Sequence, residues 1–392
     1  MSYNSTYPLS QREKYFPNDS VDFVVNFAGK RIVGNSIAIT GRLVAYKGGD
    51  PDAPQSLEVG DNVFYDGHVG MHGLFQTWTQ SFNDRVIETF NHYPRYVKMK
   101  HTALVSAENS TAMALNAAQL MCFDQQQPDN AGEDTTCLTS RAVMVLPDVS
   151  TGRAFCIVPE VAVNSAVSVP SQENAPNLAG ISWGVSGEVK ITVQLSSVNQ
   201  FLYGEDVNNN DVEASYYLTD LELVYRTLND VPCKSIAYTY KQSVKQIISS
   251  NNQALSFKTP IATKSMFASF ILSSSENNVT KNFLQMDPLE GITRADWSIN
   301  DLNQGVLEYP LEHYEEMKLN YLLAVMGVDP VAVEQMIEVS DLEAEDKIRG
   351  IGLNYLAMLA NTKVALNILS NASNLNKYSI YIYFMGDSAF SQ

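Results

Sequence analysis

Apolar and polar residues alternate with a period of two along much of this chain, which is the pattern of half-buried strands. The cleanest cases are EVKITVQLSSV at 188–198 and ASYYLTDLELVYRT at 214–227. VDFVVNFA at 21–28 and SIAITGRLVAY at 36–46 read as strands bounded by glycine, and GGDPDAPQSLEVGD at 48–61 is a loop by its breakers. In 69–90 a hairpin is predicted with Asn83-Asp84 at the turn and RVIETF as the returning strand. RAVMVL and RAFCIV within 141–163 add two more strands around Pro147–Gly152. In the first half helical spacing is clearest at 110–123, where Ser110 or Thr111 caps a face of alanine and methionine, and a polar loop follows at 124–136.

A break falls near 228–232, in LNDVPC, and a second series begins beyond it. Strands are expected at 255–258, 265–273, 351–359, 362–370 and 378–385, with a turn-rich passage at 296–302. Helices are expected at 310–326 and 330–338, the second opening on Asp329 as N-cap with Pro330 at its first position. Many short strands with turns between them and few helices predict an all-β chain of sandwiches or barrels. The division is 1–20 as an N-terminal arm outside the barrels, 21–229 as the first barrel and 230–392 as the second. The two halves show no repeat in sequence, so any duplication is structural.

Composition supports this class. The 392 residues are 45% hydrophobic and 18% charged, with 20 Tyr and 16 Phe, a packed chain rather than a disordered one. A formal net charge of −17, from 43 acidic against 26 basic side chains, opposes broad contact with phosphate backbones, so no direct nucleic-acid binding is expected. The opening MSYNSTYPLSQREKYFPNDS lacks an apolar core for a secretory signal, and no run is long and apolar enough for a membrane span. Cys122, Cys137, Cys156 and Cys233 lie far apart, as buried thiols of a reducing compartment would.

Candidate chemistry is sparse. His68 and His72 have zinc-like spacing, but Gly67, Gly70 and Gly73 argue against the helix that spacing needs, and a loop-to-strand junction is expected instead. Asp206, Asn208 and Asn210 imitate the start of a calcium loop, yet Asp211 stands where glycine belongs and Tyr217 where glutamate belongs. The acidic residues between Glu334 and Asp346 spread over several faces, which suits a solvated helix and loop. Gly184-Val185-Ser186-Gly187 has the wrong spacing for a nucleophile elbow, and there is no P-loop and no dinucleotide fingerprint. No catalytic, cofactor-binding or metal residue is therefore assigned, no cofactor is expected, and the chain is read as a non-enzyme.

The order of these elements resembles the double jelly-roll major capsid proteins of the bacteriophage PRD1–adenovirus lineage. Ile37 to Tyr46 looks like that family's opening strand, and 72–97 like its short Leu-Phe element, hairpin and Tyr-Pro turn. Residues 141–228 are similar to the closing strands of the first barrel, and 350–387 to the last strands of the second. The loops are short for eukaryotic members, and FMGDSAFSQ replaces the family's asparagine-rich ending. The resemblance implies two tandem eight-stranded jelly rolls with a few short helices in the loops. It further implies homotrimers, pseudo-hexagonal capsomers that tile an icosahedral virion shell together with neighbouring capsomers, penton and minor capsid proteins and an internal membrane. Synthesis would be in the host cytoplasm. The competing classes are a tandem jelly-roll hydrolase or copper monooxygenase, for which five histidines are few, and a carbohydrate-binding or spike protein. The last would expose Trp78, Trp183 or Trp297, where core burial is the expectation.

Overall fold

The longer strands of the first half are β1 (Ser2–Thr6), β2 (Ser20–Asn26), β3 (Ala38–Lys47), β4 (Phe75–Phe82), β5 (Arg85–Phe90), β6 (Arg153–Ile157), β7 (Glu188–Leu195) and β8 (Ala214–Asn229), and short strands at Tyr203–Glu205, Asn62–Tyr65 and Ala142–Val143 pair in a small separate sheet. Those of the second half are β9 (Cys233–Ile247), β10 (Asn252–Lys258), β11 (Ser265–Leu272), β12 (Ile292–Ile299), β13 (Leu302–Glu308), β14 (Gly350–Leu353), β15 (Lys363–Ser370) and β16 (Tyr378–Ser391). The structure is a computed structural model. It describes residues 2–26, 30–50, 52–55, 62–66, 69–104, 142–143, 152–170, 181–182, 187–205, 213–229, 233–248, 250–276, 292–308, 324–325, 350–354, 356–370 and 378–391.

Pairing follows one rule twice. In the first half β1–β8–β3–β6 form one sheet and β2–β7–β4–β5 the other. In the second half the sheets run β9–β16–β11–β14 and β10–β15–β12–β13, the same order with every label advanced by eight. All pairs are antiparallel, as in β9 and β16, which stay in register from Ser235 opposite Ser391 to Ile247 opposite Ser379. Two packed sheets of this strand order make each half an eight-stranded jelly roll. Short strands at Lys30–Ile32 and Ile181–Ser182 extend the β8 side of the first sheet, and Val167–Pro170 crosses over to pair with β9.

The residues explain the sheets. On β7, Val189, Ile191, Val193 and Leu195 point inward while their neighbours face outward, and Val21, Phe23 and Val25 do the same on β2. The β4–β5 hairpin turns through Asn83 (φ 43°) and Asp84 (φ 64°), the left-handed pair that a two-residue hairpin turn needs. The corresponding β12–β13 hairpin turns through Asn300 (φ 47°) and Asp301 (φ 67°), so the passage expected to be merely turn-rich is a second hairpin of the same kind. These matched Asn-Asp turns are a local sequence likeness between halves that a direct reading does not detect.

Four further expectations are corrected. The first twenty residues are not outside the barrel: β1 pairs with β8 from Ser2 opposite Thr227 to Thr6 opposite Leu223, and Tyr15 is buried and bridges Leu218. Its Ser-Asn-Ser-Thr composition hides it, because this edge strand is held by its backbone and by Ser2 and Asn4 on the Thr227 hydroxyl rather than by core side chains. Consequently Ala38–Lys47 is not the opening strand of its barrel, since β1 and β2 precede it. The Tyr-Pro turn is the start of a helix, α1 (Tyr93–Leu104), because Pro94 in a first turn forfeits no hydrogen bond. The strand expected at 351–359 is only Gly350–Leu353. The predicted helices at 110–123 and 330–338 lie outside the described residues, as does 310–326 apart from Ala324 and Val325, which are helical and buried.

Candidate functional site at the seam between the barrels

The second barrel meets the first through one face of its β9–β16–β11–β14 sheet. On β11, Met266, Ala268 and Phe270 enter the second barrel's own core, whereas Phe267 and Ile271 join the first barrel's cluster. On β16, Ile380, Ile382 and Phe384 face inward, while Tyr381, Tyr383 and Met385 face the first barrel. A sheet covered on both faces has no polar face, which is why SMFASFIL and YSIYIYFM read as nearly unbroken apolar runs.

From the first barrel the seam receives β5, α1 and the turn Ala162–Ser165. Tyr93, Arg95, Tyr96, Val97, Lys98 and Met99 of α1 are all buried. A helix enclosed on several sides carries no single apolar stripe, and that absence hid it from the sequence pattern. Phe90 and Tyr96 pack edge to face at 5.2 Å, and Phe267 stacks on Tyr383 at 5.3 Å, so aromatic rings fill the joint.

Two polar networks run through this apolar joint. In the first, the buried carboxylate of Glu88 on β5 accepts three hydrogen bonds: from Gln80 Nε2 (2.7 Å), from the Ala162 N–H (2.9 Å) and from the Lys241 N–H of β9 (2.7 Å). Gln80 Oε1 in turn accepts from the Val163 N–H at 2.8 Å. Burial pushes the Glu88 carboxyl up from its ordinary range, while the Lys241 ammonium and the converging N–H donors pull it back. Burial likewise pushes the Lys241 ammonium down, opposed by Glu88 and Glu160, and its Nζ donates to the Glu160 carbonyl at 2.9 Å. Ser165 completes this edge, its Oγ lying 3.0 Å from both the N–H and the carbonyl of Thr239. Outer-edge backbone groups of β9 at Thr239 and Lys241 are thus satisfied by first-barrel side chains instead of another strand.

The second network centres on Tyr381. Its hydroxyl donates to Glu276 Oε1 (2.6 Å), and Glu276 Oε2 accepts from Lys245 Nζ and Ser379 Oγ, each at 2.9 Å. Burial pushes Glu276 up, but these donors outweigh it and hold the carboxyl below its usual range. The Arg95 guanidinium lies over the Tyr381 ring at 4.5 Å, the Lys245 ammonium at 5.5 Å, and the His92 ring meets it edge-on at 4.8 Å. His92 sits between β5 and α1 with φ at 54°, its Nδ1 is 3.1 Å from Gln76 Nε2, and its carbonyl accepts from the Tyr383 hydroxyl at 3.0 Å.

The residues singled out from sequence are dispersed. His72 is buried in the turn Gly70–Leu74, directly before β4, with Nδ1 2.7 Å from the Tyr93 hydroxyl; His68 lies outside the described residues. Trp78 and Trp297 are fully buried, one in each core, so neither offers an exposed platform for a sugar. Trp183, Asp206–Asn210, Gly184–Ser186 and the acidic stretch 334–346 lie outside the described residues. The seam residues escaped notice because their partners are distant along the chain: Glu88 and Lys241 are separated by 153 positions. Only the apolar runs at β11 and β16 hinted that those strands are covered twice.

No protein-family model and no curated protein sequence matches the chain. Solved structures do. A chain of the PBCV-1 virus capsid superposes over 99% of this chain and 93% of its own length, with a TM-score of 0.51 at 11% identity. A chain of the Sputnik virophage aligns over 99% of this chain and 86% of its own, at TM-score 0.52 and 11% identity. The Faustovirus major capsid protein aligns over 100% and 90%, at TM-score 0.52 and 9% identity. Across its whole length, this chain has the double jelly-roll fold of those viral structures.

Proposed function

We propose that this protein is a non-enzymatic structural subunit of a viral shell, a capsid protein that acts by associating with copies of itself. The observation that carries the reading is the repeated eight-strand order in one chain, locked by an aromatic and hydrogen-bonded seam. A catalytic protein places its charged groups in an accessible cleft. Here Glu88, Lys241 and Arg95 are buried in a joint and hold one barrel against the other. Rigidity of that kind suits a tile, whose geometry must be set before neighbours are added.

The same reading takes residues 230–392 as the second tile half and extends the first from 229 back through β1. Three copies would supply six similar barrels, enough for a three-fold capsomer to occupy six-coordinated lattice positions. Penton and minor capsid proteins, an internal membrane and synthesis in the host cytoplasm belong to this reading as further partners and setting. The test is electron microscopy of the purified full chain. Uniform particles with a hexagonal outline and a three-fold axis are expected, and a field of single two-lobed particles at all concentrations would refute the proposal.

A further inference from the structure

The seam contains a histidine, a side chain that gains positive charge in acid, and two of the three charged groups acting on it are already cations. His92 stands where β5 hands over to α1, and its ring touches Tyr381 of the second barrel. The charged groups acting on it come from three elements: Arg95 of α1, Lys245 of β9 and Glu276 of the turn after β11. From β4 it meets the neutral amide of Gln76, and from β16 the phenols of Tyr381 and Tyr383. Two cations and one anion already share this pocket, and that anion is engaged by Tyr381, Ser379 and Lys245.

We propose that His92 is an acid-operated latch on the joint between the barrels: protonating its imidazole adds a third positive charge around the Tyr381 ring, and the second barrel's sheet loosens from α1 and β5. A charge in this half-buried site loses solvation and is repelled by Arg95 and Lys245, while the attraction of Glu276 is the smallest of these contributions and does not offset them. Separation of the barrels relieves part of this: His92 and Arg95 stay together on the first, but Lys245 leaves with the second and water regains access to the imidazole. The contacts first given up are those of His92 itself, its edge on Tyr381 and its carbonyl on the Tyr383 hydroxyl, and both cross the seam. Burial with Arg95 and Lys245 holds the imidazole down at about 4, so the latch stays closed at neutral pH and opens as the medium acidifies toward that value.

The test uses the full chain. Hydrogen–deuterium exchange, corrected for the intrinsic pH dependence of exchange, is followed in 239–247 and 378–385 from pH 7 to 4. Protection there should fall at least about tenfold, while 188–195 of the first barrel keeps its protection. His92→Asn cannot be protonated and suits the left-handed backbone at this position. It should retain protection through the same range, and loss at the wild-type pH would overturn the proposal. Two further readouts come from the imidazole resonances of His92. In wild type they should titrate near 4, and titration near 6.5 would overturn it. In Lys245→Gln, which removes one repelling cation, the titration should move upward, and an unmoved value would remove the electrostatic basis of the latch.

Discussion

Replacing Glu88 by alanine tests whether the seam is held by the carboxylate at its centre. The side chain is buried and accepts from Gln80, Ala162 and Lys241, so its removal orphans two backbone N–H groups and one amide donor at once. An orphaned buried donor costs about 1–3 kcal/mol, and Lys241 would also lose the facing negative charge. Partial relaxation and water entry offset some of this, leaving a net loss of about 4 kcal/mol, within the range of about 3–5 kcal/mol found when one partner of a buried pair is removed. That is a large share of a typical domain's stability of about 5–15 kcal/mol. Glu88→Gln keeps the shape and one acceptor oxygen but turns a donor toward other donors, so about half that loss is expected. The assay is urea unfolding read by single-tryptophan variants, Trp78 reporting the first barrel and Trp297 the second. The wild type should give coincident transitions. Glu88→Ala should move both to lower urea and separate them, because the carboxylate joins β5 to β9. Coincident transitions displaced by less than about 1 kcal/mol would refute the reasoning, since even one orphaned donor costs that much.

Further outcomes follow from single positions. At Gly386 on β16 an added Cβ would overlap the carbonyl oxygen of Ala262, a backbone atom that cannot turn aside, so Gly386→Ala should cost more than about 2 kcal/mol or prevent folding, checked by thermal unfolding. Asp84→Gly places the preferred residue at a position with φ of 64° and should stabilise the β4–β5 hairpin by about 0.5–1 kcal/mol, seen as a higher midpoint in urea. For pH, a folded-state value near 4 against about 6.5 when unfolded means His92 supports the fold fully above 6.5 and loses that support as pH falls through 4. Between pH 7 and 5 this removes about 2 kcal/mol. Glu88, shifted upward, runs the opposite way, so the quantity to measure is the difference between wild type and His92→Asn in urea at the two pH values.

Much of the architecture could be read from residues alone, and the omissions have physical causes. β7 is visible because it buries one face, β8 because its second half does so from Leu221 to Thr227, and the β4–β5 hairpin because Asn-Asp is turn chemistry. β1 is invisible because an edge strand needs only backbone bonds, and its exposed Tyr3 gives no alternation. α1 is obscured because Arg95, Lys98 and the tyrosines are all buried, each for a different partner. The seam is a matter of tertiary pairing: nothing local to RVIETF tells that Glu88 faces inward toward a strand of the other barrel. What the sequence did carry was the double burial of β11 and β16, whose apolar runs mark a sheet with no solvent face.

The central claim, that this chain is built to associate with itself, is tested most directly by sedimentation velocity of the full chain across a concentration series at neutral pH. The account predicts a species of three times 43.4 kDa that persists on dilution to micromolar concentration, as expected for subunit contacts burying more than about 2,000 Å². A single boundary at 43.4 kDa that does not move with concentration would contradict it.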